Sequence, residues 1–305
     1  MSVVLLGLIG IFAAVASISA PAQTYPTRPV RLIVPYAPGG GTDVLGRMIS
    51  QRLGEALGQS IIVDNRPAVD GIVGAEILTR SAPDGYTLLI ISSSHAINAA
   101  LGRKLPYDTI KDFAPITQTA NQQLLLVTHP SVPVKSTKEL IDYVKARPGK
   151  LNYGSSSNAT ALPMELFKSM TGTDMQHIPY KGSGPMMIDL VGGQVQISMA
   201  GAVASIPHVK AGRLRALGIG DLKRSAFLPN IPTIAEGGVP GYQAVIWTGM
   251  FAPAKTPRPI IARLHKEVVR ILQRPDFRER VSTLGSDVVG STPEEWGKFL
   301  AFKAD

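Results

Sequence analysis

The sequence predicts an α/β protein built on a mostly parallel sheet. Two observations carry this. Short apolar runs of strand length alternate with stretches whose apolar residues recur at helical spacing. The strand-like runs end in small, glycine- or serine-rich segments that open a following helix.

Val30–Val34 is the first strand, and Pro35 to Gly41 ends it. Thr42 or Asp43 can cap the next helix, in which Val44, Leu45, Met48, Ile49, Leu53 and Leu57 share a face. Ile61–Val63 reads as strand, Gly74–Arg80 as helix, and Pro83-Asp84-Gly85 as a turn. Leu88–Ile91 is strand and runs into Ser92-Ser93-Ser94. The alternation continues with strand Leu124–Val127, helix Thr137–Ala146 and strand Leu151–Tyr153. A serine-rich turn, Gly154 to Thr160, then starts a helix through Met170. Gln176–Tyr180 is strand, and Lys181-Gly182-Ser183-Gly184 precedes a helix from Pro185, a residue favoured in a first helical turn. Val195–Met199 and Leu214–Ile219 are further strands, and Pro229–Gly241 is a long surface segment. Pro259–Leu272 is helical, and Thr292 with Glu295 forms a capping box for a last helix.

The chain has 305 residues and a net charge of +9, without a cluster of basic residues or aromatic–basic interleaving, so nucleic acid is not an expected partner. It has no cysteine, which excludes a disulfide framework and cysteine–zinc sites. The first charged residue is Arg28, and Val3 to Val15 is almost unbroken apolar sequence. That run is shorter than the roughly 20 residues of a membrane span. Followed by Ala20-Pro21-Ala22, it reads as a signal for export over residues 1–22, cleaved near Ala22. The n-region lacks the usual basic residue.

Four strand ends stand out as candidate ligand contacts. The first contributes Tyr36, Ala37, Pro38, Gly39, Gly40, Thr42 and Asp43; the second Ser93, Ser94 and His95. The third contributes Ser155, Asn158, Ala159 and Thr160; the fourth Tyr180, Lys181, Gly182 and Ser183. Ligands of open α/β sheets sit outside the carboxyl ends of strands, and free N–H groups at helix N-termini favour an anion there. The first loop lacks the G-x-G-x-x-G register, because position 44 is Val, and it lacks a Gly-Lys-Ser/Thr sequence, so nucleotide fingerprints fail. No G-x-S-x-G elbow occurs, and the five histidines lack metal-ligand spacing. Neither an enzyme nor a cofactor is expected. Asp43 would repel a ligand carboxylate unless helix N–H groups or a ligand amine engage it.

These motifs, read in order, resemble the substrate-binding proteins of tripartite tricarboxylate transporters, the Bug family. The resemblance runs from Tyr25-Pro26-Thr27-Arg28-Pro29 through Val34 to Asp43, Asn65-Arg66-Pro67, Asp84-Gly85-Tyr86-Thr87 and Asn152-Tyr153-Gly154-Ser155. It continues in Ile178 to Gly182, Asp189 to Gly193, Pro232 to Glu236 and Trp247-Thr248-Gly249. It implies a two-lobed periplasmic binding protein of the type II, flytrap-like kind, each lobe a mixed sheet flanked by helices. Lobe one would be residues 24–124 plus 248–305, and lobe two 125–247. It further implies a periplasmic monomer that holds a small carboxylate through loop amides and ordered water, with Asp189 in the second lobe's share of the site. Membrane permease subunits of the transporter would be its partners. A sensor that signals to a membrane kinase is the alternative role. This chain departs from the family pattern at Ser157 and Ala159, usually glycines, at Pro163, commonly histidine, and at Asp70, where consecutive glycines are usual.

Overall fold

The computed structural model describes residues 25–225 and 228–304. The expected export signal, residues 1–22, lies outside them. In chain order the first part comprises β1 (Val30–Val34), α1 (Gly41–Leu57), β2 (Ile61–Asn65), α2 (Ile72–Thr79), β3 (Thr87–Ser92) and α3 (Ser94–Ala100). The long strand β4 (Phe113–Thr128) follows. Next come α4 (Thr137–Lys145), β5 (Asn152–Ser155), α5 (Asn158–Thr171), β6 (Gln176–Pro179), α6 (Ser183–Val191), β7 (Ile197–Gly201), α7 (Ala202–Lys210) and β8 (Arg215–Ile219). The chain returns through β9 (Val245–Pro253) to α8 (Arg258–Leu272), α9 (Pro275–Thr283), β10 (Ser286–Val288) and α10 (Pro293–Ala304).

The strands run in the order β2-β1-β3-β9-β4-β7-β5-β6, with β8 and β10 also paired to β4. The flanks are parallel: β1 with β2 and β3, and β5 with β6 and β7. The centre is antiparallel, because β4 and β9 pair with each other and each pairs antiparallel with its other strand neighbours. The mostly parallel sheet expected from strand–helix alternation is therefore a mixed one. Its physical cause is β4, 16 residues long against the usual five or six or so. Its first part pairs with β9 over Phe113 to Gln123, and its second part pairs with β7 over Leu124 to Thr128. The first part carries Thr117, Gln118, Thr119, Asn121 and Gln122, which hid it from a search for apolar runs. All but Gln122 are matched internally: Thr117 Oγ1 donates to the Ser291 carbonyl at 2.7 Å, Thr119 Oγ1 lies 2.9 Å from Thr248 Oγ1 on β9, and Gln118 Nε2 donates to Asn121 Oδ1 at 2.8 Å.

Buried side chains fall into two sets. One set draws on Val30 to Ala120 and Trp247 to Leu300, the other on Leu124 to Ile246. In the first, α1 and α8 cover one sheet face with Leu45, Ile49, Leu53, Leu264, Val268 and Leu272. Trp296 on α10 closes the opposite face against Phe251 and Trp247. The capping box holds that helix in place: Thr292 N–H donates to Glu295 Oε2 at 2.9 Å and Glu295 N–H to Thr292 Oγ1 at 3.2 Å. The helices α3, α7 and α9 and the strands β9 and β10 go beyond the elements expected from the sequence. No helix among the described residues is long and apolar enough to cross a membrane.

Candidate functional site

The two sets of side chains meet at a cleft of about 440 Å³ that opens to solvent at its mouth. From the first half, Tyr36, Gly40, Gly41, Thr42 and Ser92 line it; from the second, Ser156, Ser157, Thr160, Gly182 and Ser183. Gln122, Gly201 and Ile246, from the central strands, complete the wall. Among the described residues no charged side chain lines it.

The turn before α1 leaves donors unspent. Gly39 N–H goes to Asp43 Oδ2 at 3.0 Å, but the N–H groups of Gly40, Gly41, Thr42 and Asp43 meet no protein acceptor among the described residues. Those are the free amides of a helix start, and the helix dipole adds positive potential there. Asp43 is not a competing charge in the cleft. Arg47 Nε donates to both of its oxygens at 3.0 Å and Asn65 Nδ2 to Oδ1 at 2.9 Å. Burial pushes its carboxyl up, but the hydrogen bonds from Arg47, Gly39 and Asn65 outweigh burial and hold it below the usual carboxylate range. Asp43 thus acts on the loop's shape.

The turn before α6 behaves alike. The N–H groups of Ser183 and Gly184 meet no protein acceptor among the described residues. Gly182 has φ +140, and a Cβ there would come within 2.7 Å of the Ala37 Cβ. Gly184 similarly faces the Pro38 carbonyl, at 3.0 Å from an added Cβ. Ala37 and Pro38 therefore form the rim where the first loop touches the fourth, outside the lining. The two helix starts with open amides lie side by side, one from each half.

The turn before α5 is spent on itself. Ser156 N–H and Ser157 N–H both donate to Thr160 Oγ1, at 2.9 and 3.2 Å, and Thr160 Oγ1 donates to the Ser157 carbonyl at 2.9 Å. Asn158 N–H donates to Asp70 Oδ1 at 2.7 Å, across from the other half. Ser155 Oγ lies 2.7 Å from His177 Nε2, and Ala159 is packed in the core. Asn158 Nδ2 donates to Asn98 Oδ1 at 2.8 Å. Ser155, Asn158 and Ala159, expected at the ligand, are thus turned to structural partners.

The second strand end also departs from expectation. His95 is fully buried, with Nε2 3.1 Å from the Thr109 carbonyl and its ring among Tyr107, Phe113 and Phe251. Burial pushes its imidazole down to about 4, so it is neutral. Ser93 N–H bonds the Trp247 carbonyl and Ser94 Oγ is within 3.4 Å of Ser92 Oγ. Ser92 takes their place at the wall, fixed by Tyr36 Oη at 2.7 Å. Asp189 accepts from Tyr180 Oη at 2.8 Å; burial, followed by this hydrogen bond and the Asp189 charge, pushes the phenol up to about 12, and the pair staples the turn to α6 while neither lines the cleft. Lys181 is exposed and outside the lining.

Gln122 was not legible as a site residue. It is 3% exposed, its amide lies against Gly41, where a Cβ would collide with Oε1, and its Nε2 has no hydrogen-bond partner among the described residues. A buried donor without an acceptor costs about 1–3 kcal/mol. A polar pair, Gln122-Gln123, just before the apolar run Leu124–Val127 is the signal that could have found it.

Two sheet-and-helix halves joined by crossing strands, with unspent amides facing each other across a cleft, define a solute-binding protein. Comparison with known proteins gives the family. The tripartite tricarboxylate transporter family receptor pattern matches residues 45–304, and the chain belongs to that family. Protein BugT of Bordetella pertussis is 39% identical, over 97% of this chain and 93% of its own. Among solved structures, Rpa4515 of R. palustris with adipate is 37% identical with a TM-score of 0.90, covering 92% of this chain and 95% of its own. MatC from Rhodopseudomonas palustris with bound malate is 32% identical with a TM-score of 0.87, over 92% and 97%. The family is one of periplasmic receptors rather than enzymes, in keeping with the expectation from sequence.

Proposed function

We propose that this receptor captures a small carboxylate in the cleft and hands it to the membrane permease subunits of a tripartite tricarboxylate-type transporter. The observation that carries the reading is the pairing of open helix starts. The amides of α1 and α6 converge from opposite halves on one cavity that no charged side chain among the described residues lines. An anion held this way touches both halves and so favours the closed arrangement over an open one, by its differential affinity. Adipate and malate in the two structural neighbours support the ligand class. Residues 24–124 plus 248–305 form one lobe and 125–247 the other in this reading, with β4 and β9 as the hinge. The chain works as a periplasmic monomer after cleavage near Ala22.

Thermal unfolding of the purified protein with mono-, di- and tricarboxylates, amino acids and aromatic acids tests it. A ligand at 100 times its dissociation constant adds about 2.7 kcal/mol of stability and raises the midpoint. A screen in which no carboxylate shifts the midpoint, with mass spectrometry showing no co-purified acid, sinks the proposal.

A further inference from the structure

We propose that the cleft takes a ligand with one carboxylate and an uncharged far end, because the protein's own Asp70 carboxylate fills the second anion position. This rests on the reading of the chain as a small-carboxylate receptor. The open position is the one shared by α1 and α6, helices of 17 and 9 residues. Gln122 marks it independently: its buried, unpartnered Nε2 belongs to a side chain that lines the same cavity beside Gly41.

The start of α5 is the other place on the wall where an anion is favoured, since Ser157, Ser156 and Thr160 of that turn line the cavity. It is already occupied. Asp70 Oδ1 accepts the Asn158 N–H at 2.7 Å, although the two residues are 88 apart in sequence. Asp70 is held there from the other side by Arg103 Nη1 at 2.7 Å, and Asn98 Nδ2 donates to its carbonyl at 3.1 Å. Its φ of +51 is the left-handed conformation that Asp tolerates better than most residues. A Cβ added at the next residue, Gly71, would lie 3.3 Å from Tyr36 Oη in the cleft wall, so Asp70 adjoins that wall without lining it. A second ligand carboxylate at α5 would find the Ser156, Ser157, Asn158 and Thr160 amides taken and the Asp70 carboxylate, paired with Arg103, behind them, and among the described residues no cationic side chain lines the cavity to offset desolvation. An amide or hydroxyl meets only the neutral hydroxyls of Ser92, Ser156 and Ser157.

Isothermal titration of the purified protein with matched pairs tests this: succinate against its half-amide succinamate, and adipate against adipamate. These are the chain lengths of the malate and adipate held by the structural neighbours. At least one half-amide is expected to bind tenfold or more tightly than its parent diacid. Asp70→Gly suits the local φ, reopens the Asn158 amide and should shrink or invert that ratio. Asp70→Asn keeps an acceptor oxygen, removes the charge and should move the ratio the same way by less. Because Asp70 also links the halves, either variant can weaken all ligands together, and the ratio is the readout. A diacid bound as tightly as its half-amide in the wild type, or a ratio unmoved in both variants, overturns the inference and leaves the receptor reading intact. Absence of binding by every carboxylate in both this series and the wider screen overturns the receptor reading and this inference with it.

Discussion

The turns before α1 and α5 share a local plan: a strand end, small residues, then a helix of more than three turns. They use their amides in opposite ways. The α1 turn keeps the N–H groups of Gly40 to Asp43 open, while the α5 turn closes its own through Thr160 and borrows Asp70 for Asn158. The difference lies in the capping chemistry. Gly40 at the α1 N-cap has no side chain to bend back onto the helix. Asp43, in the first turn, is drawn outward by Arg47 and Asn65. In α5 the Thr160 hydroxyl reaches the preceding amides, as capping residues do. A helix start is an anion site only when nothing in the protein has claimed it.

The largest effect that would sharpen this contrast is Gly40→Glu. A Cβ at Gly40 already comes within 3.2 Å of Ser183 Oγ, so the glutamate carboxylate must enter the cleft. Ligand affinity should fall beyond detection by titration calorimetry with the far-ultraviolet circular dichroism unchanged; wild-type affinity in this variant refutes the site. Gly182→Ala comes next. It places a side chain at φ +140 and against Ala37, so closure is obstructed. A loss of more than about tenfold in affinity corresponds to about 1.4 kcal/mol of closing energy, and small-angle scattering with ligand should show the open shape persisting.

Gln122→Leu removes the unpartnered donor. Affinity should drop about tenfold, the net value of one hydrogen bond to a charged group, while the unfolding midpoint without ligand holds or rises. An unchanged dissociation constant would show that Gln122 does not meet the ligand. Thr160→Val probes the closed turn. It should cost about 1 kcal/mol in denaturant titration as a lost cap and change affinity less than about threefold, within about 0.6 kcal/mol. A tenfold affinity loss without a stability loss would instead make the α5 turn a direct ligand contact and erase the contrast.

Asp43→Asn gives the smallest effect and is read against pH. The native carboxyl is held below its ordinary value of 3.8 by Arg47, Gly39 and Asn65, after burial has pushed it up. Such a group adds stability that is present above the unfolded value and lost as pH falls through the folded one. The variant should therefore be less stable at neutral pH and lose less on acidification below 3.8. Parallel acid-unfolding curves for the two proteins would show that Asp43 is not tied down as the geometry indicates.

Much of this was legible in the chain itself. The strand–turn–helix units around Gly40, Gly154 and Gly182 follow from local residue chemistry, because apolar runs, glycines and hydroxyl caps act over a few positions. Tyr36, Gly40, Thr42, Thr160, Gly182 and Ser183 were expected at the cleft and do line it. His95 was misplaced because its position after a strand end says nothing of the aromatic rings of Tyr107, Phe113 and Phe251 that enclose it. Gln122 and Ile246 were invisible because they come from β4 and β9, which cross between the halves, and Gly201 because it is the last residue of β7, brought to the cleft by pairing with Leu124 of β4.

By itself, then, the sequence determined where helix starts with spare amides can form, since that depends on residues near one another. Only the tertiary structure decided which of those amides stay open. Asp70 reaches Asn158 from 88 residues away, and Gln122 is laid against Gly41 by the register of β4 with β9. A hydrogen bond is spent or unspent according to what lies within about 3 Å, and distance across a fold is not written in distance along the chain.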